Sequence, residues 1–180
     1  SGMATAYDGL GRKPDAIEFY TLALLLDRKQ AVPLTKRAWS YLLHGTKLAK
    51  TDFEEAVKAN PNNPDTLIGL AYACSQLDQF EEAQKYVGQS LSLAREQAKD
   101  PKVGAQAWVL FHNAATVYAQ IYDRLRTNEK ITTEQKDQLG FAFKCKKVRS
   151  IIIKFTKQFC LITIKIFTNP LTSVSKVSSF

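Results

Sequence analysis

The residues of this chain best suited to chemistry are its histidines and cysteines: His44, His112, Cys74, Cys145 and Cys160. No two cysteines have the C-x-x-C spacing, and neither histidine lies at ligand spacing from a cysteine, so the pattern supports neither a zinc site nor a disulfide framework. The sequence also offers no matched set of nucleophile, base and orienting group. We therefore predict that the protein is not an enzyme and needs no metal or cofactor.

A glycine-rich run and two pairs of acids also suggest chemistry. Gly9-Leu10-Gly11-Arg12-Lys13 has the composition of a phosphate loop. It lacks the preceding strand and the Gly-Lys-Ser/Thr ending, so Gly11 is better explained as a turn between two helices. The adjacent acids Glu54-Glu55 and Glu81-Glu82 diverge around a helix, so we expect them to be solvated.

The elements that hold these residues are predicted to be helices. Apolar and small residues recur at helical spacing over residues 64–77 and again over 80–94. Asn63 is a suitable N-cap for the first of these helices. Asp78, followed by Glu81, offers a capping box for the second. The sequence therefore predicts a helix, a tight turn and a second helix.

Small residues are placed where these two helices should cross. We expect Ala71 and Ala83 at the crossing, where a longer side chain has no room. The spacing resembles the tetratricopeptide repeat, whose places are taken here by Leu67, Leu70-Ala71, Cys74, Phe80, Ala83, Val87 and Ser90-Leu91. Similar units are found at Ala38 to Pro61, at Met3 to Leu24 and, as a lone first helix, around Ala114-Ala115 and Tyr118.

The resemblance covers residues 3–123 and implies an all-α fold. We expect an antiparallel array of helical hairpins, superhelical in form, within a domain of residues 3–143. After Asp123 the sequence no longer matches the repeat pattern, so the second helix of the last hairpin is not recognisable. Only a generic amphipathic helix from about Thr133 is predicted there.

Resemblance to this family also implies a function: a scaffold that binds a protein or peptide on a concave wall formed by the first helix of each hairpin. The wall would include Lys36, Trp39, Leu43, Asp65, Ile68, Gly69, Tyr72, Gln76, His112, Asn113, Thr116 and Gln120. We predict partner contacts for Lys36, Trp39, Tyr72, Gln76, His112, Asn113, Thr116 and Gln120. For Trp39 and Tyr72, ordinary packing between repeats is the alternative.

One subtype of this family grips a C-terminal carboxylate, and the sequence argues against it here. That subtype uses Lys, Arg and Asn at set places on the wall. The matching places in this chain hold Thr35, Ile68, Gly69 and Val109. Only Lys36 and Asn113 are suggestive of such a clamp.

The last part of the chain, residues 144–180, has a different composition. It contains eight Lys or Arg and no acid, which accounts for the whole net charge of +8. Its β-branched residues favour strands, whereas the spacing of Lys147, Lys154 and Lys165 favours a helical stripe, so both remain open. Charged residues interrupt every long apolar stretch in this segment, so we expect no spanning helix.

This basic, apolar tail supports several alternatives. It has the composition of a segment that docks on anionic membranes, which makes a peripheral membrane adaptor the second functional hypothesis. Nucleic-acid binding ranks lower, because the tail is neither Gly-rich nor Arg-rich. Self-association through the tail is a further option. The composition also resembles translated A/T-rich DNA, from an intron, a frameshift or an alternative C-terminus.

Deleting residues 147–180 tests whether the tail covers part of the body. Residues 151–167 are largely apolar, and soluble monomers rarely expose patches of that size. We expect the tail to cap the open last hairpin, with self-association as the alternative. The truncated chain should then melt at a lower temperature and bind more of a hydrophobic dye. Equal stability, a monomeric state and better solubility would show that the tail is an appendage.

The cellular compartment is predicted from two features. The cysteine spacing indicates a reducing compartment. Ser1 to Asp15 contains no apolar stretch of the kind that a secretory leader has. We therefore expect a cytoplasmic protein.

Overall fold

The computed structural model describes residues 2–97 and 104–127. Every regular element in this part of the chain is an α-helix, as the sequence predicts. The helices are α1 Gly2–Gly9, α2 Lys13–Leu26, α3 Ala31–Tyr41, α4 Thr46–Ala59, α5 Pro64–Gln76, α6 Phe80–Gln97 and α7 Gly104–Thr127.

The helices pack as successive hairpins. α1 packs on α2, α3 on α4, and α5 on α6, and each hairpin also contacts the next one along the chain. Since the two helices of a hairpin are joined by only a few residues and pack side by side, they run antiparallel. The first helices contact one another as well, α3 with α5 and α5 with α7. These contacts place one face of α3, α5 and α7 in a common surface.

The start of α5 is capped as the sequence predicts. The Asn63 side-chain oxygen accepts hydrogen bonds from the backbone N–H groups of Asp65 (3.0 Å) and Thr66 (3.4 Å), and Pro64 follows as the first helical residue. The predicted turn at Gly11 is also present, and its φ of +74° is a value that glycine adopts without strain. His44 lies exposed in the turn between α3 and α4.

The predicted capping box at Asp78 is wrong. Asp78 has a left-handed backbone, with φ of 61°, and it closes α5 rather than opening α6. The Gln79 N–H donates to the Cys74 carbonyl (2.9 Å) and the Asp78 N–H to the Ser75 carbonyl (3.4 Å), which is the Schellman pattern of a helix end. The Asp78 carboxylate accepts from Arg124 on α7 instead (2.8 Å).

A continuous apolar core runs from α3 to α7. Its small members, such as Ala71 on α5 and Ala83 on α6, are fully buried, in agreement with the predicted close crossing of these helices. Larger buried residues, among them Phe53, Leu70 and Val87, fill the space around them. The core therefore depends on side-chain volume at each place and on small residues where helices approach.

Replacing Ala83 with leucine tests this crossing. Ala83 is fully buried, so the added methylenes have no space and should lower the free energy of unfolding by about 1–3 kcal/mol. Urea denaturation followed by circular dichroism measures the change. The exposed neighbour Gln89, replaced with leucine, serves as the control and should leave the midpoint nearly unchanged. An unaltered midpoint for Ala83→Leu would show that the helices do not cross there.

Several sequence-based predictions lie outside the described residues. They are the amphipathic helix from about Thr133 and the domain boundary at residue 143. The alternatives for the tail of residues 144–180 lie there too. Among the residues that the structure does describe, no helix is both long and apolar enough to cross a membrane.

Candidate functional site

One surface of the array carries the residues that the sequence assigns to binding. We call it the first-helix wall and define it by residues on the first helix of each hairpin: Lys36, Trp39, Asp65, Tyr72, Gln76, His112, Asn113, Thr116 and Gln120. Apart from the adjacent pair His112 and Asn113, the residues on each helix lie at intervals of three, four or seven, which puts them on one helical stripe. Because α3, α5 and α7 contact in order, the three stripes are neighbours.

α3 and α5 are joined across the first-helix wall by a charged pair and an aromatic pair. Lys36 Nζ lies 3.9 Å from Asp65 Oδ2. The Trp39 and Tyr72 rings are tilted by 53° with centroids 6.4 Å apart. Burial raises the pKa of Asp65, while Lys36 and a hydrogen bond from Trp39 act in the opposite direction. The only two opposite charges on this part of the wall are therefore already paired with each other.

α5 and α7 are joined by a polar chain. Gln120 Nε2 donates to the Tyr72 hydroxyl (2.7 Å), and the Ser75 hydroxyl donates to Gln120 Oε1 (3.0 Å). Ser75 is fully buried, whereas Tyr72 and Gln120 are half-buried. This chain fixes the Tyr72 ring while part of it remains open to solvent.

The ring of Trp39 is fixed from behind by the core. Phe53 on α4 is fully buried and meets the Trp39 ring edge-on, at 84° and 5.5 Å between centroids. Phe53 in turn packs against Gly69 on α5, where a methyl group would overlap the ring atoms Cε1 and Cζ. The absence of a side chain at Gly69 thus sets the position of Phe53, and Phe53 sets the position of Trp39.

The structure removes two residues from the predicted wall. Ile68 and Gly69 are both buried. Ile68 belongs to the apolar core, and Gly69 faces Phe53 on α4 rather than solvent. Leu43, in contrast, is 75% exposed in the turn after α3.

The remaining predicted residues differ in how far they are already engaged. Gln76 Oε1 accepts from the hydroxyl of Thr46 (2.8 Å), at the start of α4. Thr116 donates to the backbone carbonyl of His112 (3.1 Å). Within the described part of the chain, the side chains of His112 and Asn113 make no hydrogen bond, and His112 is exposed. The α7 stripe therefore offers free donors and acceptors to a ligand.

The sequence did not predict an ion pair that joins three helices on the buried side of α3. Arg37 Nε and Nη2 donate to the two carboxylate oxygens of Asp52 (2.7 and 2.8 Å), and Nη1 donates to the hydroxyl of Thr21 (3.0 Å). Arg37 thereby joins α2, α3 and α4. The only signal was an Arg and an Asp on adjacent predicted helices, which is common in any sequence.

Burial makes the thiol of Cys74 unreactive. The thiol is fully buried, and that burial raises its pKa to about 12, so it carries no thiolate at neutral pH. Among the described residues, no group of histidine, cysteine and acid side chains is placed to hold a metal ion.

Comparison with known proteins identifies the repeat. Residues 46–105 match the family described as the tetratricopeptide repeat, a stretch that contains α4, α5 and α6. No curated protein matches the chain. Repeats of this family generally mediate protein–protein interactions and are typically non-catalytic. The match and the succession of helical hairpins show that residues 46–105 are similar to the tetratricopeptide repeat.

Proposed function

We propose that the protein is a non-catalytic scaffold that binds a polypeptide segment on the first-helix wall, as the concave surface of the array. The observation that carries the proposal is the half-buried aromatic pair of Trp39 and Tyr72, held in place from two sides. Phe53 fixes one ring and Gln120 the other, so neither loses much freedom when a ligand binds. Preorganised aromatic side chains of this kind contribute strongly to binding.

The surroundings of the aromatic pair suit a peptide backbone. Asn113 and His112 offer unused polar groups on α7, and Gln76 retains its amide N–H groups on α5. Such groups can pair with the N–H and C=O groups of an extended segment, while the two rings accommodate one of its side chains. Trp39 and Tyr72 also take part in packing between repeats, because the buried part of each ring contacts the core. The two roles are compatible.

Replacing Tyr72 with alanine should weaken binding by about tenfold or more, as expected for a central aromatic anchor. The full chain would be immobilised and used to select binders from a phage-displayed library of random peptides. The affinity of the recovered peptides would then be measured by isothermal titration calorimetry for the wild-type protein and the variant. Circular dichroism would verify that the variant is still helical.

The control for this experiment is Glu81→Ala, an exposed position on α6 away from the first-helix wall. It should leave the affinity unchanged. The proposal fails if the library yields no binder, or if the recovered peptides bind wild type and Tyr72→Ala equally well.

Two further parts of the proposal concern the cellular compartment and other classes of partner. We propose that the protein acts in the cytoplasm, which is supported by the cysteine spacing and by the free, buried thiol of Cys74. Contacts with a membrane surface, with nucleic acid or with a second copy of the chain would have to involve the tail of residues 144–180. No observation on the described residues favours them over the first-helix wall.

A further inference from the structure

Charge is distributed unevenly between the two kinds of helix. The second helix α4 alone carries Lys47, Lys50, Asp52, Glu54, Glu55 and Lys58. In contrast, the first helix α3 carries only Lys36 and Arg37, and α5 carries only Asp65. The first helices α3 and α5, which form the greater part of the described wall around Tyr72, are therefore poor in charge.

The few charges on these first helices are also neutralised within the protein. Lys36 pairs with Asp65 across the wall. Arg37 turns away from the wall to the buried side of α3, where it pairs with Asp52. On the α7 stripe, Asn113, Thr116 and Gln120 are uncharged polar residues. A ligand lying over Tyr72 would thus meet rings, amides and hydroxyl groups, and no unpaired charge among the described residues of α3 and α5.

Exposed apolar residues extend this uncharged surface at both sides. Val32 stands one turn before Lys36 on α3 and is 61% exposed. Val109 stands one turn before Asn113 on α7 and is 38% exposed. Both continue the stripes that carry the wall residues. Apolar side chains that face a binding surface add affinity without adding a requirement for charge.

We infer that the first-helix wall selects an uncharged, extended segment of a partner, anchored by an apolar or aromatic side chain on the Trp39–Tyr72 pair. This inference rests on the proposed function and adds the chemistry of the partner. Affinity then comes from apolar contact and main-chain hydrogen bonds, and only to a small extent from ion pairs. Binding should therefore be nearly independent of ionic strength.

The salt dependence of binding tests the inference. Peptides recovered from the phage library on the full chain would be titrated in about 0.1 M and about 1 M NaCl, between which the screening length falls from about 10 Å to about 3 Å. We expect the dissociation constant to change by less than about threefold. The sequences of the recovered peptides should be rich in apolar residues and show no enrichment in Asp, Glu, Lys or Arg.

A charge-neutral variant provides a second, independent measurement. The double substitution Lys36→Gln and Asp65→Asn removes both charges of the wall and keeps side chains of similar size. The inference predicts that the double variant, like the wild type, binds the same peptides with dissociation constants that differ by less than about threefold between about 0.1 M and about 1 M NaCl. Circular dichroism would confirm folding.

The outcomes distinguish a failure of the uncharged-partner inference from a failure of the proposed function. Peptides that depend on Tyr72 but are charged, and that weaken about tenfold or more in high salt with the wild type but not with the double variant, overturn the inference and leave the proposed function standing. A library that yields no binder, or only peptides indifferent to Tyr72→Ala, overturns both.

Discussion

Replacing Gly69 with alanine is expected to lower the free energy of unfolding by about 2 kcal/mol, although alanine is the better helix former. The reason is steric, because the new methyl group would overlap the ring of Phe53. That ring is fully buried and abuts Trp39, so it has no free space to enter. Chemical denaturation followed by circular dichroism measures the loss.

Gly88→Ala is the matched control. Gly88 also lies within a helix, α6, but a methyl group there meets no atom within 4 Å. Alanine should therefore stabilise the protein at this position by up to about 1 kcal/mol. Opposite signs for two identical substitutions would establish that the contact with Phe53 causes the effect. If Gly69→Ala is as stable as wild type, the proposed fixing of Trp39 through Phe53 is wrong.

A rescue experiment assigns the Gly69 effect to the ring itself. Phe53→Leu alone should destabilise the protein, because it leaves a cavity in the core. Combined with Gly69→Ala, the smaller side chain leaves room for the methyl group, so the double variant should be more stable than the sum of the two single effects predicts. Strict additivity would contradict the contact.

Replacing Arg37 with methionine is expected to cost about 2–3 kcal/mol, because it leaves the carboxylate of Asp52 unpaired in a largely buried position. The side chains of Arg37 and Asp52 are only 18% and 10% exposed. The substitution also removes the hydrogen bond to Thr21 and so loosens the joint between α2, α3 and α4. The midpoint of urea unfolding should decrease correspondingly.

Two comparisons test the cause of the Arg37 effect. Lys58→Met breaks an ion pair of similar length with Glu55, but that pair is exposed and should contribute almost nothing. Arg37→Met combined with Asp52→Leu removes both charges and should regain much of the lost stability. Equal destabilisation by Arg37→Met and Lys58→Met would contradict the assignment of a buried pair.

The local elements of this fold follow from the sequence. Asn63 has the side chain and the position of an N-cap, and helical spacing identifies α5 and α6 without any long-range information. The turn at Asp78 could not be predicted in the same way. Asp is both a good N-cap and one of the residues that tolerate a left-handed backbone, and only the hydrogen bonds of the turn decide between the two.

The first-helix wall was only partly predictable for a different reason. The spacing of residues on α5 shows which of them share a stripe, but not which part of that stripe a neighbouring helix covers. The spacing therefore places Ile68 and Gly69 on the wall, although both are buried in the structure. The links that hold the wall together, such as Gln120 to Tyr72 and Arg37 to Asp52, join residues far apart in the chain and leave no local signal.

The consequence for function is a separation of roles. Buried contacts such as Gly69 against Phe53 set where the aromatic rings stand, and the exposed parts of Trp39 and Tyr72 remain for a ligand. A substitution at a buried contact such as Gly69 should reduce binding by moving the rings as well as by reducing stability. A substitution that changes only the exposed part of Trp39 or Tyr72 should reduce binding at nearly constant stability.

The most direct test of the binding surface is a nuclear magnetic resonance titration of the ¹⁵N-labelled full chain with one of the selected peptides. The indole N–H of Trp39 gives a separate signal and belongs to a wall residue. We predict that this signal shifts, together with backbone signals of the wall residues on α3, α5 and α7. Shifts confined to the second helices α4 and α6, with the Trp39 signal unmoved, would contradict binding on the first-helix wall.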